Sequence, residues 1–225
     1  MKTSLLYLFM AAVLVATSGH SAAQEFEGGT VTYQQITAYD FKKLADDWGK
    51  GPEMEQWLAS LPVESRNLGV LSFTENAALY EKDASDQAAP SEALEKALYL
   101  SNISKPPRPQ LKKVFYDFEN NRKIDQVSFM TRDFRVESEI ERKPWKLVNK
   151  RVKVLDYMCM GAEITKGKQT ITAWFTSEIP VSAGPDAYYG LPGLILVIEV
   201  NGETVFMATS VDLTAPIEGA LSEPD

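Results

Sequence analysis

The stretch LILVIEVNGETVFMAT, residues 194–209, decides the fold of this 225-residue chain. Two runs rich in β-branched and aromatic residues flank Asn201-Gly202, and this dipeptide suits the positive φ angles of a type I′ turn. Strands joined by so tight a turn pair antiparallel, because a parallel crossover needs about a dozen residues or more. The stretch therefore predicts an antiparallel β-hairpin.

The same pattern continues towards the N-terminus. Short β-type runs flank the polar turns Glu119-Asn120-Asn121 and Lys166-Gly167-Lys168, and strands are also predicted at residues 31–39, 68–73 and 77–81. The strands at residues 168–175 and 205–211 lack a wholly polar face. Both sides of the resulting sheet are therefore predicted to be partly covered.

Residues 41–59 and 91–100 have helical spacing instead, with Trp48 and Trp57 on two short helices and Ser91 as the N-cap of another. The predicted fold is α+β and mostly antiparallel β. It is a curved up-and-down sheet with two or three short helices, inserted at about residues 41–104, packed on or near one side. The concave side would receive either the Trp48/Trp57 helices or a ligand. A plain sheet-plus-helix core without a cavity is the alternative.

The N-terminus has the pattern of a secretory signal peptide. Lys2 precedes an apolar run at residues 5–16, and Ser21-Ala22-Ala23 offers small residues before a cut near Ala23/Gln24. The alternative is a membrane anchor, but the run is well short of the ~20 residues that a bilayer requires. We therefore expect residues 1–23 to be removed, leaving residues 24–225 as one exported domain, periplasmic or secreted, with no stable membrane insertion.

Charge and residue counts exclude several classes of function. Without the leader, 31 acids face 22 bases, and a net charge of −9 disfavours nucleic acid and anionic membranes as partners. The single histidine, His20, lies in the leader, so the mature chain cannot form a Ser-His-Asp triad or an HExxH zinc site. Cys159 is the one cysteine, which excludes an internal disulfide and multi-cysteine metal clusters. No cofactor is expected.

The string Gly190-Leu191-Pro192-Gly193-Leu194-Ile195 resembles the signature of the GLPGLI family of exported Bacteroidota proteins. Neighbouring blocks are similar to that family too: a strand ending at Tyr157-Met158-Cys159, then residues 173–176 and Ile179-Pro180. The similarity spans residues 145–212, with Asp156 where the family usually has glycine. The family carries no established activity, so the resemblance implies export and architecture rather than chemistry.

Two interpretations of this string follow from its residue types. Glycine reaches backbone angles that are closed to other residues and proline fixes its own φ, so the string can be a turn that directs a strand into the core. The alternative is a recognition loop that binds a partner in the envelope, because aromatic side chains on rigid loops make good anchors. Its residues would be Tyr188, Tyr189, Gly190, Leu191, Pro192 and Gly193.

Three consecutive sulfur side chains, Met158, Cys159 and Met160, form a weak candidate metal site. Soft sulfur ligands suit Cu(I), and an envelope protein could carry it. On a strand, however, Met158 and Met160 point to one face and Cys159 to the other. A buried apolar cysteine between methionines of the core is the favoured interpretation.

Glu137, Glu139 and Glu141 alternate along a run that could be a strand, and paired carboxylates serve histidine-free glycoside hydrolysis. With Arg132, Arg135 and Arg142 nearby, a solvated sheet edge is the favoured interpretation. The sequence therefore predicts an exported non-enzymatic protein that binds an envelope partner or an apolar ligand. A carboxylate hydrolase and a Cu(I)-binding protein are the alternatives.

Overall fold

The computed structural model describes residues 27–49, 51–83, 90–102, 108–214, 216 and 219–225. Within them, three helices and eleven strands form, and all strands belong to a single sheet. The helices are α1 (Lys42–Trp48), α2 (Pro52–Ala59) and α3 (Glu92–Asn102). The strands are β1 (Gly29–Ala38), β2 (Glu64–Phe73), β3 (Ala77–Lys82), β4 (Gln110–Asp117), β5 (Arg122–Phe129), β6 (Arg132–Glu139), β7 (Lys146–Val154), β8 (Tyr157–Lys166), β9 (Gln169–Thr176), β10 (Leu194–Val200) and β11 (Thr204–Asp212).

The prediction of a mostly antiparallel β fold is confirmed. The strand order is β6-β5-β4-β3-β2-β1-β11-β10-β9-β8-β7, and every neighbouring pair is antiparallel. The first described strand, β1, lies at the middle of the sheet. The following strands lie successively further out up to β6, and β7 forms the opposite edge. Only residues 140–145 connect these two edges.

The hairpin predicted from Asn201-Gly202 is confirmed. Both residues have positive φ, 53° and 73°, and Val200 pairs with Thr204 across the turn. The strand predicted to end at residues 157–159 is wrong, because β8 begins at Tyr157 after a two-residue turn. Leu155 makes that turn with a φ of 52°, a conformation that leucine rarely adopts. No glycine or asparagine marks the turn in the sequence.

The loop between β9 and β10, residues 177–193, covers one face of the sheet; we call it the covering loop. Its side chains Ile179, Val181, Ala183 and Tyr189 are buried in the largest apolar cluster, together with residues of β1–β4, β8, β10 and β11. Backbone bonds tie its ends to β10, from the Leu194 amide to the Ile179 carbonyl (3.0 Å) and from the Ile195 amide to the Ala183 carbonyl (2.9 Å). The loop therefore fills this face with the chain's own side chains.

The opposite face of the sheet is also partly covered. Leu79 lies between Ala78 and Tyr80, so it points to the other side of β3, where it is buried with Phe115 and Ile124. Leu221, near the C-terminus, packs against this group. The prediction that both faces of the sheet are partly covered is therefore confirmed.

The helices form an apolar cluster of their own. Leu44, Leu61 and Ala97 are its buried members, and Trp57 packs against them. Trp48 is 50% exposed. The largest apolar cluster of the sheet contains side chains of the covering loop and neither Trp48 nor Trp57. The placement of the helices on one side of the sheet stays a prediction. Within the described residues, no helix combines the length and the apolar composition needed to cross a bilayer.

Candidate functional site

The predicted recognition loop is the C-terminal part of the covering loop. Tyr189 and Leu191 are 2% exposed, and Tyr188 is half-buried with its ring 5.9 Å from that of Phe206. These aromatic and aliphatic side chains pack inside the protein instead of offering a recognition surface. Only Gly190 and Pro192 are exposed.

Gly193 explains why the string contains glycine. Its φ is 149°, and a Cβ on it would lie 2.1 Å from the Thr176 carbonyl oxygen, closer than atoms can approach. Glycine is therefore required where the covering loop enters β10 beside the end of β9. This geometry agrees with the interpretation of the string as a turn that directs a strand into the core.

Tyr189 links the covering loop to the connection between the two sheet edges. Its ring centroid lies 5.0 Å from that of Tyr116 on β4, and Lys143 Nζ lies 4.7 Å from its ring centroid. The Trp145 indole N–H donates a hydrogen bond to the Tyr189 carbonyl at 2.8 Å. The role of Tyr189 visible in these contacts is structural.

The three sulfur side chains lie in different surroundings. Cys159 is fully buried in the largest apolar cluster, Met160 packs against a different cluster, and Met158 is 51% exposed. Burial, with a smaller contribution from the Glu178 carboxylate, raises the pKa of the Cys159 thiol to about 11. The thiol is therefore protonated at neutral pH, which makes it a poor nucleophile.

The glutamate row lies on an open surface. All of β6 is exposed, Glu141 beyond it is exposed too, and Glu137 pairs with Arg122 at 2.9 Å. This exposure disfavours the hypothesis of a carboxylate hydrolase at Glu137, Glu139 and Glu141. A general acid is sheltered from solvent, whereas these carboxylates are open to it.

A polar groove of about 610 Å³ lies at one end of the sheet, at the C-terminal ends of β1, β3 and β5 and the N-terminal ends of β2 and β4. None of its lining residues is among the site residues predicted from the sequence. We call it the amide groove because glutamine and asparagine side chains dominate it. Its lining consists of Gln35, Asn67, Lys82, Gln110, Leu111, Lys112, Lys113, Gln126 and Ser128.

Register explains why the groove is polar. On β1 the residues Val31, Tyr33 and Gln35 share one face, and Gln35 pairs with Asn67 on β2. The first two are fully buried under the covering loop, whereas Gln35 lies beyond it. The switch from apolar to polar along one face of the predicted first strand is the signal that could have indicated this site.

The lysines of the groove are paired. Lys82 Nζ lies 3.5 Å from Asp186 of the covering loop, Lys112 Nζ lies 2.7 Å from Asp133, and Lys113 pairs with Glu81. These carboxylates compensate the charge of the ammonium groups. The groove therefore carries little unbalanced charge.

In the described part of the chain, three of the four amide side chains make only long hydrogen bonds with the protein. The side-chain N–H groups of Gln35, Gln110 and Gln126 donate to the Thr37 hydroxyl, the Arg108 carbonyl and the Asp225 carbonyl at 3.4–3.5 Å. Hydrogen bonds of that length are weak. A ligand could replace them at little cost.

Tyr80, Tyr116 and Tyr188 lie within electrostatic reach of Asp186, the carboxylate that pairs with Lys82 of the groove. Burial, with a smaller contribution from Asp186, raises the pKa of Tyr188 to about 12 and raises the pKa of Tyr80 further. Burial also raises the pKa of Tyr116, with Asp125 as the next cause. These phenols therefore stay neutral and can donate hydrogen bonds, but they cannot act as bases near neutral pH.

Comparison with known proteins adds a family and a fold. A family model described as a protein of unknown function (Porph_ging), which is associated with Bacteroidota, matches residues 161–197. Over this span the chain is similar to that family. The matched residues run from the middle of β8 to the middle of β10 and include the whole covering loop. The GLPGLI name stays a prediction, and no curated protein matches the chain.

Solved structures of PNGF-II have a similar fold. In the P21 crystal form the identity is 18% and the TM-score 0.53, and the alignment covers 88% of this chain. In the C2 crystal form the identity is 18%, the TM-score is 0.54, and the alignment covers 87% of this chain. The chain spans about 30% of the length of PNGF-II, so the likeness concerns one part of that protein and shows the fold alone.

Proposed function

We propose that this chain is an exported, non-enzymatic binding protein of the cell envelope that holds a neutral, hydroxyl-rich ligand in the amide groove. The paired charges and weakly bonded amides of that groove carry the proposal. This revises the apolar ligand expected from the sequence, because the covering loop occupies the apolar face of the sheet. The leader pattern at residues 1–23 is the basis for export.

A curved sheet is part of this proposal. Eleven strands spaced by ~4.8 Å would place the two edges of a flat sheet ~48 Å apart. From Glu139 to Lys146 the chain can span only ~25 Å even when fully extended. The two edges must therefore lie closer together than a flat sheet allows. Curvature towards the covering loop would also shape the groove at the end of the sheet.

The chemistry of the groove favours a neutral ligand. An anion would have to compete with Asp186, Asp133 and Glu81 for the lysines. Amide side chains both donate and accept hydrogen bonds, and Ser128 adds a hydroxyl, which suits a ligand that carries several hydroxyl groups. The volume of about 610 Å³ lies within the range of small-molecule sites.

The groove lining favours binding over catalysis. It contains no carboxylate, no histidine and no thiol, and the carboxylate that is hydrogen-bonded to Ser128, that of Asp133, is a weak base because hydrogen bonds from Lys112 and then Ser128 lower its pKa. Among the described residues, no group of three or more His, Cys, Asp or Glu side chains could hold a metal ion. A hydroxyl nucleophile needs an effective adjacent base, and the three lysines of the lining are engaged in ion pairs with Asp186, Asp133 and Glu81.

Two neighbouring glutamines on β1 allow a matched test. Gln35 lines the groove, and Gln34 points to the opposite face of the same strand. Maltotetraose and cellotetraose, titrated by calorimetry, should bind the wild type and Gln34→Ala equally and Gln35→Ala at least about fivefold more weakly, the loss of one hydrogen bond. Equal binding by both variants, or binding of tetra-alanine instead of the sugars, would contradict the proposed ligand class.

A further inference from the structure

The two outermost strands of the sheet differ in charge. Strand β7 carries four cationic side chains, Lys146, Lys150, Arg151 and Lys153, and no acid. Residues 142–168 contain eight bases and two acids, whereas the whole chain has an excess of acids. The positive charge of an otherwise acidic protein is therefore concentrated at this edge.

The cations of β7 are largely without partners in the described part of the chain. Lys153 Nζ lies 3.7 Å from Asp156, whose side chain is 98% exposed. No ion pair joins Lys146, Lys150 or Arg151 to any described residue. Their field is therefore reduced only by solvent and dissolved ions.

Apolar side chains accompany these cations. Leu147 is 65% exposed, Val152 38% and, on the adjacent β8, Met158 51%. Among the described strands, β7 pairs only with β8, so the backbone groups of its outer edge have no strand beside them. The pairing of β7 with β8 is irregular only between Val148 and Arg151. On either side of this register shift, β7 pairs regularly with β8.

We propose that the free edge of β7 binds an extended acidic segment of a partner protein by strand addition. Such a segment would pair with the unpaired backbone groups of β7, place its carboxylates beside Lys150, Arg151 and Lys153, and cover Leu147 and Val152. Lysines and bulges on edge strands normally prevent association with like edges. Here the same charges repel a second copy of β7 and attract an acidic strand.

The two edges supply a matched pair of variants. Arg151 on β7 and Arg132 on β6 are both exposed arginines of edge strands, and neither has an ion pair with a described residue. Arg151→Glu and Arg132→Glu therefore change the net charge of the protein equally but at different edges. Circular dichroism checks that both variants are folded.

The probe is a fluorescein-labelled peptide of four Glu-Thr repeats, with binding followed by fluorescence anisotropy at low ionic strength. We expect the wild type to bind it, Arg151→Glu to bind about tenfold more weakly and Arg132→Glu to bind within about twofold of the wild type. Bound peptide should also slow hydrogen exchange of the β7 amides. A peptide of the same sequence that is N-methylated at every backbone amide keeps the charge but cannot donate backbone hydrogen bonds, and should bind at least about tenfold more weakly.

The proposal is wrong if the Glu-Thr peptide does not bind, if both arginine variants weaken binding equally, or if the N-methylated peptide binds as well as the Glu-Thr peptide. Binding to phosphatidylglycerol vesicles without binding to the Glu-Thr peptide would also overturn it. None of these results depends on the amide groove, because its lining contains no residue of β7.

Discussion

Strands β6 and β7 are the two edges of one sheet, and the chain protects them differently. On β6, Arg135 lies 2.8 Å from Glu223, and Asp133 lies 2.7 Å from Lys112. On β7, the one ion pair among the described residues is the exposed Lys153–Asp156 contact. One edge has its charges compensated from within the chain, whereas the other leaves them available to a partner.

Part of the compensation of β6 comes from the C-terminal segment, residues 219–225. Glu223 bridges Arg122 (3.0 Å) and Arg135 (2.8 Å), and Leu221 packs beneath it on the apolar group of β3–β5. Nothing comparable lies on β7 in the described part of the chain. The comparison suggests that β6 is a closed edge and β7 an open one, and the following variants test that difference.

The largest loss of stability is expected from a substitution that disturbs the connection between β6 and β7. Tyr189→Ala removes a 2%-exposed ring that packs on Tyr116 and carries Lys143 on its face. We expect the free energy of unfolding to fall by about 3–5 kcal/mol, measured by urea denaturation. Tyr99→Ala, at a 65%-exposed tyrosine, should change it by less than about 0.5 kcal/mol. Equal effects would mean that the connection does not depend on the covering loop.

The rate at which Cys159 is alkylated gives a second measure of how Tyr189→Ala changes stability. The thiol is fully buried and its pKa is raised to about 11, so native protein should react slowly with iodoacetamide at neutral pH. Tyr189→Ala should accelerate the reaction because local opening requires less free energy.

The next effect concerns the closed edge. Leu221→Ala removes a partly buried side chain that packs against the cluster of Leu79, Phe115 and Ile124, and should lower the free energy of unfolding by about 1–2 kcal/mol. The control is Leu213→Ala, because Leu213 is 47% exposed. If both variants unfold at the same urea concentration, Leu221 does not anchor the C-terminal segment to the sheet.

A smaller, pH-dependent effect is expected from Glu223→Gln. Hydrogen bonds from Arg122 and Arg135 hold the pKa of the Glu223 carboxyl below its usual value. A carboxyl whose pKa is lowered on folding stabilises the protein above its unfolded pKa, near ~4.3, and this contribution disappears as the pH falls through the folded value. The melting temperature of Glu223→Gln should therefore lie below that of the wild type at pH 7 and converge with it in acid. A constant difference would mean that the ion pairs do not contribute.

Local features of the fold could be predicted from the sequence. Asn201-Gly202 has the turn chemistry of its hairpin, and Ser91 accepts the Leu94 amide hydrogen bond expected of an N-cap. The step from β6 to the opposite edge could not be predicted, because residues 140–145 carry no signal that distinguishes a crossing from a hairpin. The turn at Leu155 was missed for a similar reason, since its conformation is imposed by pairing of β7 with β8.

The candidate site was harder to predict than the fold. Tyr188 and Tyr189 have the composition of a recognition loop, but their burial depends on a sheet face formed by residues far away in sequence. Gln35, Asn67 and Lys82 meet only through the register of β1, β2 and β3. A sequence shows which residues alternate on one strand, but it does not show which strand lies beside it.

The smallest effect separates the charges of the two edges. Lys150→Gln removes an exposed cation without an ion pair to any described residue, and should change the free energy of unfolding by less than about 0.3 kcal/mol. Arg135→Gln removes a cation that bonds Glu223, and should cost more, up to about 1 kcal/mol. Added salt should reduce the difference between the two variants in the free energy of unfolding. It screens the ion pair of Arg135, whereas Lys150 has no ion pair with a described residue. If Lys150→Gln were the more destabilising variant, the cations of β7 would stabilise the fold itself and would not be free for an acidic partner.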